Sequence, residues 1–286
     1  MLINKFKELF SKKLKIPLYL NTWNNRIIAR EGAVFSKDLL EIAARIGKDF
    51  NKVQVKDTFF IKDLEKVLTN EIEKYGFITE NLKFLQDILN YVGSISVPEH
   101  IISELSFLKE RNFYNYHHTV AVTALATRIA RDYFFEDENI AELAEMGLVY
   151  DIGIAHIPQN IIQKLGRFDD KERNIVNYHP IYSALLIAHY YKDANHPLID
   201  PVLNHHENLD GSGFPRQIKN NNLSSHILKI ADKFDALISA RPFRKFYYPK
   251  DAFKICEDEM NSGKTTPEIL SIIYSYYLFI DAYPYK

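Results

Sequence analysis

The chain has 286 residues, with 36 lysines and arginines against 37 aspartates and glutamates and a net charge of −1. This balance excludes the basic field that broad binding to a nucleic-acid polymer needs. A content of 47% hydrophobic and 26% charged residues excludes a disordered chain. The single cysteine, Cys256, excludes a disulfide framework and a cysteine-built zinc site, and fits a reducing, cytoplasmic compartment.

From the amino terminus, Leu2, Phe6, Leu9, Phe10 and Leu14 recur at helical spacing with lysines between them, which predicts an amphipathic helix packed on its own domain. Ile16–Leu20 and Arg26–Arg30 read as short strands around a turn. Ser36 is placed to cap a helix over 37–46, and 61–74 and 80–92 read as further helices. A break at Gly93–Val97 separates this small mixed unit, 1–95, from a second domain, 96–286, that is helical almost throughout. Its helices are expected at 98–109, 116–134, 137–151, 170–176, 180–191, 198–206, 224–239, 249–261 and 265–279. The longest apolar run, Leu270–Ile280, is interrupted by Ser271 and Ser275 and is too short for a transmembrane segment. The fold class is therefore mainly α: a carboxy-terminal helical bundle behind a small mixed α/β unit.

Nine of the ten histidines lie between His117 and His226, so chemistry is sought there. His118 shares a helical face with Val122, Leu125 and Ile129. Asp151 continues the apolar stripe Ile140, Leu143, Ala144, Gly147 and Leu148, and a carboxylate on such a face needs a donor, a cation or a metal. His179 precedes Pro180 at a helix start. His205-His206-Glu207 is followed by Asp210-Gly-Ser-Gly-Phe-Pro215, where Gly211 and Gly213 permit a sharp turn. Asp232 and Asp235 lie on one helix, and Arg241 and Arg244 follow with the fork geometry that suits phosphate. Each residue alone also has an ordinary structural reading. Together, His118, Asp151, His179, His205, His206 and Asp232 form a nitrogen and oxygen donor set that suits Fe, Mn or Zn.

In this order and spacing, from about Ile101 to Phe253, the sequence resembles the HD-GYP domains, a branch of the HD phosphohydrolase superfamily. His118, Tyr150-Asp151-Ile-Gly153, Ile157-Pro158, His179-Pro180, His205-His206-Glu207, Asp210–Pro215, Ala231–Leu237 and Arg241-Pro-Phe-Arg244 carry the likeness. It implies an HD-type helical bundle that hydrolyses cyclic di-GMP to pGpG or GMP with two divalent ions, Fe or Mn rather than Zn. One ion would take Asp151, His179, His205 and His206. The other would take His118, Asp151 and Asp232, with Asp151 and Asp232 as the catalytic carboxylates. Arg241, Arg244, Gly213 and Phe214 would contact substrate. Residues 1–95, without visible chemistry of their own, would dock a regulatory protein partner.

Several residues depart from the family pattern. Tyr150 stands where the family has the histidine of its His-Asp pair, which predicts a weaker ion at the His118 set, because neutral tyrosine is a poor ligand. Ile154 stands in place of a lysine beside the scissile phosphate, and losing about 3 kcal/mol there slows catalysis more than a hundredfold. His156 is a conceivable substitute. Phe214 replaces the tyrosine of Gly-Tyr-Pro, and Tyr114 replaces the glutamate of three-metal members, so two ions are expected. The departures define the alternative: an impaired module that binds cyclic di-GMP or a partner protein and signals without turnover.

Overall fold

The computed structural model describes residues 14, 18–19, 27–134, 136–239 and 246–266, and parts of 268–278. The predicted amino-terminal amphipathic helix lies outside them, apart from the buried Leu14. The described chain is mainly helical, as its composition and periodicity predict. It divides into two compact units, each assembled from three stretches of chain. The first unit holds residues 1–52, 97–116 and 149–220; the second holds 53–96, 117–148 and 221–286.

In the first unit, strands β1 (Leu18–Tyr19) and β2 (Ile27–Ala29) pair antiparallel, with Leu18 opposite Ala29. Helix α1 (Lys37–Ile46) begins where predicted: the Ser36 hydroxyl accepts from the Leu39 N–H at 3.2 Å. Its buried residues Leu39, Leu40, Ala43 and Ala44 form the inward stripe. The centre of the unit is a helix buried on all sides, His179–Tyr191, against which α1 packs. A side chain at Gly47 would come within 2.2 Å of the His189 carbonyl oxygen, so glycine lets the end of α1 approach that helix.

The second unit contains α2 (Phe59–Asn70), α3 (Ile72–Tyr75) and α4 (Leu82–Ser94). The predicted helix 61–74 is thus broken. Glu71 leaves helical geometry at φ −110°, ψ 46°, and its carboxylate turns to Lys74 and His117. Between the units in sequence comes α5 (Glu99–Arg111), which belongs to the first. Helix α6 (Phe113–Tyr133), from His117 onward, and α7 (Asp137–Val149) continue the second, and a side chain at Gly147 would meet the Thr123 Cα at 2.8 Å, so the two helices cross closely. Short strands at Lys52–Gln54 and Ser96–Pro98 carry no strong alternation, and the sequence does not announce them.

The short helix α8 (Gln159–Ile162) is not among the expected ones, while α9 (Asp170–Val176), α10 (His179–Tyr191) and α11 (Ile199–Asn204) in the first unit and α12 (Leu223–Ile238) and α13 (Pro249–Asn261) in the second follow the predicted order. The start of α9 is a capping box, in which Asp169 accepts from the Glu172 N–H at 2.9 Å and Glu172 accepts from the Asp169 N–H at 2.8 Å. In the second unit, Phe77, Phe234, Phe253 and Tyr276 pack their rings into the core, with Phe234 and Phe253 centroids 4.2 Å apart. No helix among the described residues is long and apolar enough to cross a membrane.

Candidate metal centre

Helix α7 ends at Val149, two residues before the predicted boundary, and in the first unit Asp151 opens a tight turn of 3₁₀ helix, Ile152–His156. This turn lies on α10. A side chain at Gly153 would meet the His179 carbonyl oxygen at 2.3 Å and the Ser183 nitrogen at 2.5 Å. With no Cβ, the Gly153 N–H instead donates to the Ser183 hydroxyl at 2.9 Å. Glycine in the Asp-Ile-Gly segment is therefore what brings Asp151 beside the first residue of α10. Asp151 Oδ1 lies 3.3 Å from His179 Nε2.

His205 and His206 leave the end of α11, and their nitrogens join that of His179: ligand atoms of the three imidazoles all lie within 4.8 Å of one another. The His179 and His205 Nδ1 atoms lie 2.8 Å and 2.6 Å from the carbonyls of Val176 and Val202. A carbonyl only accepts, so each Nδ1 carries a ring proton, and in the neutral ring each Nε2 presents a lone pair. Those two Nε2 atoms are 3.4 Å apart, with the Asp151 carboxylate alongside. Two lone pairs and an anion converging in a buried place repel unless a cation lies among them. Ligating histidines hold their second nitrogen on a carbonyl in this way. The three imidazoles therefore fit a divalent cation, and Asp151, 3.3 Å from His179 Nε2, stands at the edge of the cluster.

The loop after His206 is held from beneath. The buried Glu207 accepts from the backbone N–H of Arg216 at 2.5 Å, Gln217 at 3.0 Å and Ile218 at 3.1 Å. Burial raises its carboxyl above the usual range, against the pull of those three donors. A Cβ at Gly213 would sit 2.3 Å from the His206 carbonyl oxygen, so this glycine, too, marks a close approach. The folded-back loop lays Phe214 on His206, ring centroids 4.3 Å apart and 27° from parallel. Asp210 is a turn residue: its carboxylate accepts from the Ser212 N–H at 2.9 Å and hydroxyl at 2.6 Å.

Tyr150 is buried, with its ring edge toward His205 at 5.2 Å, and Ile154 is buried as well. Burial gives both departures a packing role. His156 does not serve as the missing cation suggested by the sequence: its Nε2 lies 3.0 Å from the buried Glu104, which also accepts from the Tyr190 hydroxyl at 2.5 Å.

The second unit holds His118 and Asp232. Helices α6 and α12 face these side chains to each other, with His118 Nε2 2.8 Å from Asp232 Oδ1 and His118 Nδ1 2.5 Å from Asp235 Oδ2. Burial alone would lower the imidazole pKa, but hydrogen bonds to Asp232 and Asp235 outweigh it and raise it well above the usual value. Both ring nitrogens of His118 thus face carboxylates, and a cation bound at Nε2 would displace any proton there. Asp235 Oδ1 in turn accepts from Tyr75 at 2.5 Å. The sequence singles out Asp235 only as part of a motif and Tyr75 not at all. Arg241 and Arg244 lie outside the described residues.

A profile of the HD domain family matches residues 100–269, more than half of the chain. The chain is 32% identical over 165 residues to a cyclic di-GMP phosphodiesterase of Pseudomonas aeruginosa, covering 56% of this chain and 40% of that protein. It is 30% identical over 220 residues to a cyclic di-GMP phosphodiesterase of Thermotoga maritima, covering 74% of this chain and 55% of that one. It is also 30% identical over 162 residues to 3′3′-cGAMP-specific phosphodiesterase 1 of Vibrio cholerae, covering 56% and 37%. The chain spans about half, or less, of the length of these relatives.

Proposed function

The chain belongs to the HD domain family, and from that premise we propose that it is a metal-dependent phosphodiesterase of cyclic dinucleotides, with cyclic di-GMP as substrate and pGpG or GMP as product. The observation that carries this reading is the meeting of the His179, His205 and His206 imidazoles, ligand atoms within 4.8 Å of one another, with the Asp151 carboxylate 3.3 Å from His179. The relatives named for cyclic di-GMP and cGAMP hydrolysis support the choice of substrate class.

In this reading Asp151, His179, His205 and His206 hold one ion. The resemblance assigns a second to His118, Asp151 and Asp232, with Fe or Mn preferred. Bound ions supply Lewis acidity at the phosphoryl group and activate water at neutral pH. The protein supplies the rest. The carbonyls of Val176 and Val202 fix the tautomers of His179 and His205, so both face inward as neutral donors. Gly153 and Gly213 set the backbone approach that aims Asp151 and His206. Phe214 lines the approach to His206, and Arg241 and Arg244 hold the non-bridging phosphate oxygens. Water adds to phosphorus, the bond to the ribose oxygen breaks, and that oxygen leaves with a proton. The lone cysteine supports the cytoplasm as the place of action. A regulatory protein docking on residues 1–95 completes the proposal, where Ile72 and Leu82 are exposed.

The second reading, a module that binds the nucleotide without turnover, rests on the buried Tyr150 and Ile154 at positions where the family carries imidazole and ammonium. Product analysis separates the two. Purified protein is incubated anaerobically with Fe(II) or Mn(II) and cyclic di-GMP, and the nucleotides are chromatographed. Metal-dependent pGpG or GMP is expected. Intact substrate with either metal, together with nucleotide binding, would establish the second reading instead.

A further inference from the structure

Three contacts fix residues 71–78 of the second unit, a segment outside the family match at 100–269. Glu71 Oε1 lies 2.5 Å from His117 Nε2. The Tyr75 hydroxyl donates to Asp235 Oδ1 at 2.5 Å. Arg128 donates to the Ile78 carbonyl at 2.8 Å. His117 and Arg128 both lie on α6, the helix that carries His118, and Asp235 lies on α12, the helix that carries Asp232. Tyr75 ends α3, and its N–H donates to the Glu71 carbonyl at 3.0 Å, so the two gripping side chains share one turn.

An imidazole ring turns about a soft terminal torsion, so its direction depends on its partners. His118 takes its direction from Asp235 at Nδ1 and Asp232 at Nε2. Asp235 can hold the ring only while its own carboxylate is held, and the Ser239 hydroxyl reaches it at only 3.4 and 3.5 Å. The short bond from the fully buried Tyr75 is the one that sets it.

We propose that Tyr75 is a positioning residue for His118, acting through Asp235, so that a segment outside the family match completes the His118 set. Its consequence for catalysis rests on the phosphodiesterase reading; the hydrogen-bond chain itself rests on geometry alone. A tyrosine 160 residues from its carboxylate partner makes the amino-terminal segment part of the site's support.

The test uses the full chain labelled with ¹⁵N-histidine, in the wild type and in Tyr75→Phe, which keeps the buried ring and removes the hydroxyl. The His118 ring N–H signal is identified by its absence in His118→Gln. In Tyr75→Phe this signal is expected to shift or broaden, while the His179 and His205 ring signals stay in place. The Mn(II) dissociation constant of the weaker site is expected to rise ~10–100-fold, and kcat to fall by a similar factor with KM little changed, as for loss of a group that orients a ligand. Asp235→Asn should reproduce these changes, and adding Tyr75→Phe to it should change little more, because both break one chain. An unmoved His118 signal with unchanged Mn(II) affinity, or strictly additive effects of the two substitutions, would overturn the proposal. An inactive wild type would count against the phosphodiesterase reading alone, since the ring signal is read without nucleotide.

Discussion

His205 and His118 are both buried imidazoles, and they differ in what holds their ring nitrogens. His205 places Nδ1 on a backbone carbonyl, a neutral acceptor, as His179 does. His118 places Nδ1 on Asp235 and Nε2 on Asp232. The carbonyls fix Nδ1 as the donor in the first cluster and turn both Nε2 atoms toward each other. The two carboxylates favour the charged form of the second. The same side chain therefore meets a neutral acceptor in one unit and two anionic ones in the other, and the partner atoms set how readily it gives up a proton to a cation.

The largest expected effect comes from emptying the first cluster. His205→Ala removes one of the two facing lone pairs and should reduce hydrolysis at least ~1000-fold, the equivalent of about 4 kcal/mol in the barrier. Hydrolysis within tenfold of wild type would break the comparison, because the cluster would then not be where the chemistry resides. Tyr75→Phe comes next, with its ~10–100-fold effect on the other histidine.

Gly153→Ala sharpens the role of backbone approach. Its Cβ would press on the backbone of His179 and Ser183, neither of which is a flexible side-chain end. Overpacking of this kind costs about 1–3 kcal/mol, read as a lower urea midpoint, with activity lost beyond what the stability change explains because Asp151 moves. Wild-type stability and activity together would show that the turn has slack.

The smallest effect concerns Glu71. Burial alone would raise its carboxyl, but hydrogen bonds from His117 and Lys74 win and lower it to about 2. A folded-state value below the unfolded one of 4.5 stabilises above about pH 4.5, and that contribution is lost as the pH falls through about 2. The group is half-exposed, so the gain is about 1 kcal/mol or less. Glu71→Gln should flatten the acid limb of the stability curve by that amount and leave the first cluster's metal uptake unchanged. An equal acid limb in both proteins would contradict it.

Much of this was legible in the sequence. Helical periodicity placed α1, α9 and α13 nearly to the residue, with Ser36 marking the start of α1; the Asp169–Glu172 capping box and Pro249 lie at the starts of the other two. Helix ends and buried faces placed His179, His205 and His206 in a six-residue donor set, the family resemblance assigned them to one ion, and the structure brings these three together. The break at Glu71 was not legible, since no proline or glycine marks it and the partner its carboxylate meets, His117, is 46 residues away. Nor was Tyr75, whose surroundings read as an ordinary helix end. The direction of His156 was equally hidden: spacing places a residue on an element, while its rotamer answers to neighbours such as Glu104 that are remote in sequence.

The most direct measurement of the central claim is metal uptake. Purified wild type and a His205→Ala, His206→Ala double variant are stripped, reloaded with Mn(II) under anaerobic conditions, desalted and assayed for metal per chain. The wild type should retain at least one tightly bound ion, and the variant should lose it while keeping its helical circular dichroism. A folded variant that retains as much Mn(II) as the wild type, or a wild type that retains none, would contradict the claim that the facing imidazoles form a cation site.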